Sequence, residues 1–186
     1  MDLGRYLIDH SSVSGDIISV DTFLNHRVDP EVIGEIGRRI AALADPLSPD
    51  ILVTAEASGI PPAVCAARKL SLPLVYAKKY VLPGTRHAVS KEVRSATKGF
   101  EYTIEIRKHV IEPGMKALVV DDFLAQGRTA LALGEIIEEL GAEMLGAVFA
   151  IEKAWVGARS LIEARGWPVW SVIKVVSVED GLIRLG

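Results

Sequence analysis

The chain has 186 residues, 24 acidic against 21 basic side chains for a formal net charge of −3, 49% hydrophobic residues and one cysteine. That length suits a single domain, residues 1–186, burying about 70% of its unfolded surface, and one cysteine rules out a disulfide framework. The acidic balance argues against a general nucleic-acid footprint, no apolar run approaches the ~18 residues of a membrane span, and the start Met1-Asp2-Leu3-Gly4-Arg5-Tyr6 lacks a signal-like core, so a cytoplasmic chain with no nucleic acid and no membrane partner is expected.

The first dozen residues read as an accessory segment. Asp29-Pro30-Glu31 is a helix start, with Asp at the N-cap and Pro in the first turn; Val32, Ile33, Ile36, Ile40 and Leu43 then share one face until Pro46 and Pro49 end the run. Ile51 to Ala55 is a buried strand. After Glu56-Ala57-Ser58-Gly59, Pro61-Pro62 opens a helix that runs to about Leu70, and Cys65 in its apolar run Ala63–Ala67 reads as inert packing. Pro73 to Lys78 is the next strand.

The interval from Tyr80 to Lys98 is polar and basic and contains Pro83-Gly84. It is too long for an ordinary connection, is expected to lie outside the core, and is of the kind that forms lids. Lys78, Lys79, Arg86, Lys91, Arg94 and Lys98 stand there against Glu92, which either attracts a polyanion or makes a solvated loop. Ala117 to Val120, without alternation, is a short buried strand of the parallel type. Thr129 to Leu140 is an apolar-faced helix closed by Gly141, and Met144 to Glu152 is another strand. This strand and helix alternation implies an α/β fold built on a mostly parallel, doubly wound sheet.

The chemistry concentrates between Leu118 and Leu131. Asp121 and Asp122 stand at the carboxyl end of a strand, where open α/β sheets bind ligands. Ala125-Gln126-Gly127-Arg128-Thr129 leads into a helix whose free N–H groups and dipole attract phosphate. Ionised carboxylates accept hydrogen bonds from vicinal sugar hydroxyls, so a ribose 5-phosphate suits both halves. Two adjacent carboxylates at a buried strand end repel by roughly a few kcal/mol at an effective dielectric near 20, which points to a role in hydrogen bonding or metal binding. His10, His26, His87 and His109 show no metal-ligand spacing.

The stretch from Leu118 to Leu131 resembles the phosphoribosyl-diphosphate (PRPP) motif of type I phosphoribosyltransferases, in the form seen in xanthine phosphoribosyltransferases. The segments Val20–His26, Glu56–Ala63 and Ile151-Glu152-Lys153 agree with that subfamily, in its order, over roughly residues 15 to 180. The resemblance implies that PRPP and xanthine become xanthosine 5′-monophosphate and diphosphate, a purine-salvage step. It further implies a homodimer, a Mg2+ ion carried with PRPP and held indirectly by Asp121 and Asp122, and a small hood formed by the first dozen residues and the Trp167–Leu185 tail.

The same resemblance distributes the roles. Glu56, Ser58 and Gly59 would form the diphosphate loop, with Lys79 reaching the diphosphate. Ala125, Gln126, Gly127, Arg128 and Thr129 would hold the 5′-phosphate, and Asp121 and Asp122 the ribose. Ile18, Asn25, Lys153 and Trp155 would form the base site. Lys153 has three donors and no acceptor, so it suits the 6-oxo group and N7 of an oxopurine and disfavours adenine. For Asn25 a turn or cap role stays open, as does a solvated strand end for Lys153; Trp155 either stacks on the purine or packs in the core or a dimer contact, for which Trp167 and Trp170 also qualify.

Two departures stand out. Ala125 occupies the place where hypoxanthine-guanine enzymes carry an Asp, so a general acid or base is absent there, as in the adenine and xanthine enzymes. Arg94-Ser95-Ala96-Thr97-Lys98 aligns with the mobile loop, but Ala96 replaces a frequent aromatic. The alternative readings are a phosphoribosyltransferase for hypoxanthine, guanine or adenine, and, from another class, a regulator that senses PRPP or a nucleotide.

Overall fold

A computed structural model describes residues 1–80, 87–94 and 101–186, without the side chains of Arg94 and Glu101. The expectations for Pro83-Gly84, Arg86, the Ala96 segment and Lys98 lie outside the described residues.

The chain begins with α1 (Leu3–His10), the hairpin β1 (Ser12–Ser14) and β2 (Ile17–Ser19), and a wide helical turn at Asp21–Asn25. Helix α2 (Pro30–Ala44) is capped as its sequence implies: Asp29 accepts from the N–H groups of Glu31 and Val32 at 3.0 and 3.3 Å. Strand β3 (Ile51–Ala55), helix α3 (Ile60–Leu70) and strand β4 (Leu74–Tyr80) follow, then β5 (Ala88–Arg94) and β6 (Glu101–Arg107). The second half is β7 (Lys116–Leu124), α4 (Arg128–Glu139), β8 (Glu143–Lys153), α5 (Ala158–Glu163), β9 (Val169–Glu179) and β10 (Leu182–Leu185).

Eight strands form one sheet in the order β10-β9-β8-β7-β3-β4-β6-β5. The run from β9 to β4 is parallel, while β10, β6 and β5 join antiparallel. Because β3 leads through α3 to β4 on one side and β7 leads through α4 to β8 on the other, the winding direction reverses between β3 and β7. A crevice opens at the carboxyl ends of strands where that happens.

Each face of the sheet has its own apolar cluster. Leu52, Leu118, Val120 and Val148 pack under α2 and α3 with Ile36, Ile40 and Ala66. Val53, Val119 and Phe149 pack on the other face with Leu133, Ile136 and Ile137 of α4. A fully buried aliphatic or aromatic side chain of this kind contributes roughly 1.5–3 kcal/mol. The two helices α2 and α3 touch closely, since a Cβ on Gly37 would stand 2.3 Å from the Cβ of Cys65. Burial raises the pKa of the Cys65 thiol, in keeping with a packing role.

Four sequence expectations need correction or extension. Strand β7 does not stop at Val120; its ladder with β8 continues through Asp121 opposite Phe149 and Phe123 opposite Ile151, so the two aspartates lie within the strand. The interval from Tyr80 to Lys98 is not all outside the core, because β5 buries Val89 and Val93, two apolar residues four apart on one face. In the sheet β5 pairs antiparallel with β6, where Tyr102, Ile104 and Ile106 alternate with polar residues. Within the basic interval, Lys91 is paired with Glu139 at 2.8 Å and is thereby engaged in the fold.

The fourth concerns the chain ends. They do come together: a Cβ on Gly4 of α1 would meet Leu185 of β10 at 2.6 Å. The C-terminal part contributes by extending the main sheet as β9 and β10. Trp167, expected as a dimer contact, is 3% exposed instead, lies over Gly134 of α4 and donates its indole N–H to Glu138 at 3.2 Å. No helix among the described residues is long and apolar enough to cross a membrane.

Gly134 is fixed by that ring, since an added Cβ would stand 2.5 Å from two of its carbons. Gly134→Ala is therefore expected to destabilise the fold by about 1–3 kcal/mol despite alanine's better helix propensity. Urea denaturation of the variant checks this, and an unchanged or raised midpoint would contradict the contact.

Candidate active site

Strand β3 ends at Ala55, and its last pair with β7 is Val53 with Val119, whereas β7 runs on to Leu124 and β8 to Lys153. The difference in length leaves a notch above the end of β3. The loop Glu56–Gly59 fills one wall of it, and β7 the other.

Lys79 holds the loop from outside, its backbone N–H donating to Glu56 Oε1 at 2.6 Å, while Glu56 N–H donates to Ala77 O at 3.0 Å. The Glu56–Ala57 peptide is cis. Gly59 precedes α3, and the side chain of Asp121 comes so near it that a Cβ would stand 2.5 Å from Asp121 Oδ1. The first turn of α3 has no free N–H to offer, because Pro61 and Pro62 carry none and Ile60 and Ala63 donate to Ala57 O and Gly59 O at 3.2 Å each, so the polar groups facing the cavity here come from the loop, Ser58 and Lys79.

That cavity measures about 130 Å³ and is lined by Glu56, Ser58, Gly59, Lys79, Asp121, Asp122, Phe123 and Thr129, together with Ala55. At ~30 Å³ per water it holds about four waters or one small anionic group. Seven of the residues assigned from sequence to a sugar diphosphate therefore meet around one space. The remaining loop residues continue outward from it: Gln126 and Arg128 are exposed, and Gly127 adopts a left-handed conformation at φ 72° as the N-cap of α4. Thr129 Oγ1 lies 3.3 Å from the Tyr102 hydroxyl, and Lys79 Nζ lies 5.3 Å from the centre of the Tyr102 ring. Strand alternation sends Lys78 elsewhere, into a groove of about 290 Å³ lined also by Tyr76, Tyr80 and Val110.

The carboxylates dominate the electrostatics. Asp121 is only 8% exposed, and its pKa is pushed well above the ordinary range, first by burial and then by the neighbouring Asp122 charge. Burial raises Asp122 as well, against hydrogen bonds from Asp121 and the Phe123 backbone that favour its charged form. Lys79 opposes both shifts weakly. The pair is thus short of positive charge and of donors.

On the far side of Phe123 stands Lys153, the last residue of β8, with Nζ 5.7 Å from the Phe123 ring centre. Its ammonium donates to Asp16 O at 3.0 Å, at the tip of the β1–β2 hairpin, and half-burial depresses its pKa against a small opposing effect of Asp16. Trp155 follows, half-buried, in the turn Ala154–Val156. Ile18 of β2 is 5% exposed and packed in the α2–α3 cluster, while Asn25 is exposed at the end of its helical turn. Phe23 is buried and edge-on to Tyr6, a core side chain.

Two participants escaped the sequence reading. Phe123 separates the carboxylates from the lysine, and its position just past two aspartates at a strand end was an available signal. The Asp16 contact is through a backbone carbonyl, which no residue type announces. Glu152, beside Lys153, faces the opposite way and is 2% exposed; it accepts from Arg159 Nε at 2.9 Å and from Ser171 Oγ at 2.6 Å. Burial alone would raise its pKa, but these donors outweigh it and leave the group below the usual range. Arg159 thereby pins α5, whose Ala158 and Ile162 back Gly127, with a Cβ there 3.3 and 3.5 Å away.

Comparison with known proteins follows the same outline. Residues 22–161 match the phosphoribosyl transferase domain family. The chain is 38% identical over 180 residues to a xanthine phosphoribosyltransferase of Chloroflexus aurantiacus, covering 96% of this chain and 85% of that protein. It is 36% identical over 186 residues to the xanthine phosphoribosyltransferase of Geobacillus thermodenitrificans, covering 97% and 96%. Among solved structures, adenine phosphoribosyltransferase from Rhodothermus marinus superposes with a TM-score of 0.73 at 22% identity, covering 93% of this chain and 98% of that one. At that identity the superposition bears on the fold alone.

The raised pKa of the aspartate pair has a signed consequence. The folded protein retains a proton that unfolded aspartate releases, so this group's stabilising effect is present on the acid side and is lost as pH rises through the folded-state pKa. Asp121→Asn removes the uncompensated charge. Without divalent cations it is expected to stabilise the fold near neutral pH by roughly 1–2 kcal/mol, read as a raised urea midpoint, and to flatten the pH dependence; a lowered midpoint would contradict the assignment.

Proposed function

We infer the activity of this chain from the family to which it belongs, the phosphoribosyltransferases, and propose that it transfers the 5-phosphoribosyl group of PRPP to xanthine, releasing diphosphate and forming xanthosine 5′-monophosphate. One observation supports the reading most: the loop Glu56–Gly59, Lys79 and the Asp121–Asp122 pair meet around one cavity, and the half-buried Lys153 stands beside Phe123 of the same lining.

Departure of diphosphate from C1 builds positive charge on the ribose and negative charge on the leaving group. The protein's task is orientation and electrostatic stabilisation, with no covalent nucleophile. The loop Glu56–Gly59, with the Ser58 hydroxyl, and Lys79 receive the diphosphate. The loop Ala125–Thr129 at the start of α4 receives the 5′-phosphate, and Asp121 and Asp122 accept from the ribose 2′- and 3′-hydroxyls, which requires the pair to ionise on binding. The cavity, about 130 Å³ and open to solvent, suits one anionic group, and the rest of PRPP would extend over the loop.

Magnesium arriving with PRPP would neutralise charge on the diphosphate, with Asp121 and Asp122 holding it through water. The donor set fits such an ion: Asp121 and Asp122 are adjacent carboxylates lining one cavity, and magnesium is commonly bound through one or two carboxylates together with substrate phosphate oxygens.

On the base side, Lys153 offers donors to the 6-oxo group and N7 of xanthine, and its partial desolvation strengthens those bonds. Phe123 and Trp155 flank the ring, while the Asn25 amide meets the 2-oxo edge and Ile18, 5% exposed, backs the base site from the α2–α3 cluster. With Ala125 in the phosphate loop no side chain there removes the base proton, and xanthine, more acidic than hypoxanthine, needs such help least. A cytoplasmic homodimer belongs to the same proposal.

Diphosphate release with PRPP and magnesium, compared across xanthine, hypoxanthine, guanine and adenine, tests the reading. Xanthine is expected to be preferred; preference for another purine would overturn the base assignment, and PRPP binding without turnover would favour a regulator. Lys153→Ala is expected to lower kcat/KM for xanthine by about 100-fold while PRPP affinity persists, since a charged hydrogen bond is worth roughly 1.5–3 kcal/mol. Unchanged xanthine kinetics would remove Lys153 from the site.

A further inference from the structure

We propose that Thr54 is a positioning residue: when substrate is bound, its hydroxyl donates to the carboxylate of Asp121 and holds it in the orientation that accepts a ribose hydroxyl. The inference deepens the phosphoribosyl-transfer reading and rests on it.

Thr54 is the fourth residue of β3 and is fully buried, in a strand whose other members, Ile51, Leu52, Val53 and Ala55, are apolar. Its Oγ1 has no hydrogen-bond partner, one of two such buried side-chain atoms among the described residues. A buried hydroxyl without a partner lowers stability, and valine has the same shape without that cost. Packing in the free protein therefore gives no reason for a threonine here.

The neighbourhood supplies one. A Cβ on Gly59 would stand 2.3 Å from Thr54 Oγ1 and 2.5 Å from Asp121 Oδ1. Both oxygens crowd one point, so they are no more than about 5 Å from each other. Glycine at 59 keeps the space between them clear, and turning the Asp121 side chain about its own bonds closes the gap to hydrogen-bond length. Asp121 Oδ1 already accepts from Asp122 N–H at 3.0 Å, and an ionised carboxylate oxygen has room for a second donor. Being 0% exposed, Thr54 reaches no ligand itself, so its effect on the reaction passes through Asp121. The unpartnered hydroxyl is a donor held in reserve for the ionised, substrate-bound carboxylate.

The test uses the full chain as Thr54→Val and Thr54→Ser, each alone and with Asp121→Asn, reading thermal midpoint without ligand, calorimetric PRPP affinity with magnesium, and steady-state kinetics. Thr54→Val is expected to melt at or above the wild-type temperature, yet to lose about tenfold in kcat/KM for PRPP with KM for xanthine unchanged. Thr54→Ser should stay within about threefold of wild type, and Thr54→Val should add little to the PRPP defect of Asp121→Asn. Wild-type PRPP kinetics in Thr54→Val, equal losses in the valine and serine variants, or full additivity with Asp121→Asn would each overturn the inference alone. Wild-type protein that binds no PRPP would instead overturn the phosphoribosyl reading, and this inference with it.

Discussion

Two adjacent carboxylates, Asp121 buried and Asp122 half-buried, stand at the point where the sheet reverses its winding, with a weak counter-charge from Lys79. Much of the surrounding structure is explained by that unfavourable arrangement. An isolated buried charge of this kind is normally neutralised or paired, and here the protein supplies neither in full. Protonation relieves the free protein; a polyhydroxyl ligand with its cation would relieve the bound one. Binding free energy is thereby concentrated on partners that bring donors and positive charge together, which a sugar hydroxyl pair and a divalent ion do.

The unequal strand lengths convert that chemistry into a place. Because β3 stops short of β7 and β8, the loop Glu56–Gly59 drops into the notch and the start of α3 faces the carboxylates. Gly59 is set by side-chain crowding from Thr54 and Asp121, a tighter demand than any phosphate would impose. Apolar clusters on both faces hold the strands that carry the carboxylates, so the notch into which the loop drops is fixed by sheet geometry.

The ends of the crevice are tied to one another through α5. Arg159 binds Glu152 at the end of β8 and the Val169 carbonyl of β9, and the same helix backs Gly127 in the loop before α4. Removing one partner of so buried a pair leaves the other uncompensated, so this ion pair constrains the geometry even if its net contribution to stability is small. Lys153 inherits its position from the strand that carries Glu152, with the β1–β2 hairpin meeting it at Asp16.

The sequence by itself determined the α/β class, the caps of α2, the order of β3, α3 and β4, and the concentration of chemistry around Glu56–Gly59 and Asp121–Thr129. These features rest on local physics: N-cap residues, proline in first turns, apolar runs of strand length, and carboxylates followed by a small-residue helix start. Tertiary structure alone decided that β7 continues through its aspartates, because a neighbouring strand supplies the ladder, and that Trp167 is core, because Gly134 makes room beneath it. It also decided that β5 and β6 join the sheet as its antiparallel edge, since the alternation in β6 marks a strand but not its partner. The approach of Thr54 to Asp121 and of Lys153 to Asp16 joins residues 67 and 137 positions apart, and no local pattern encodes such contacts; they arise where the ends of separate strands are brought to one edge of the sheet.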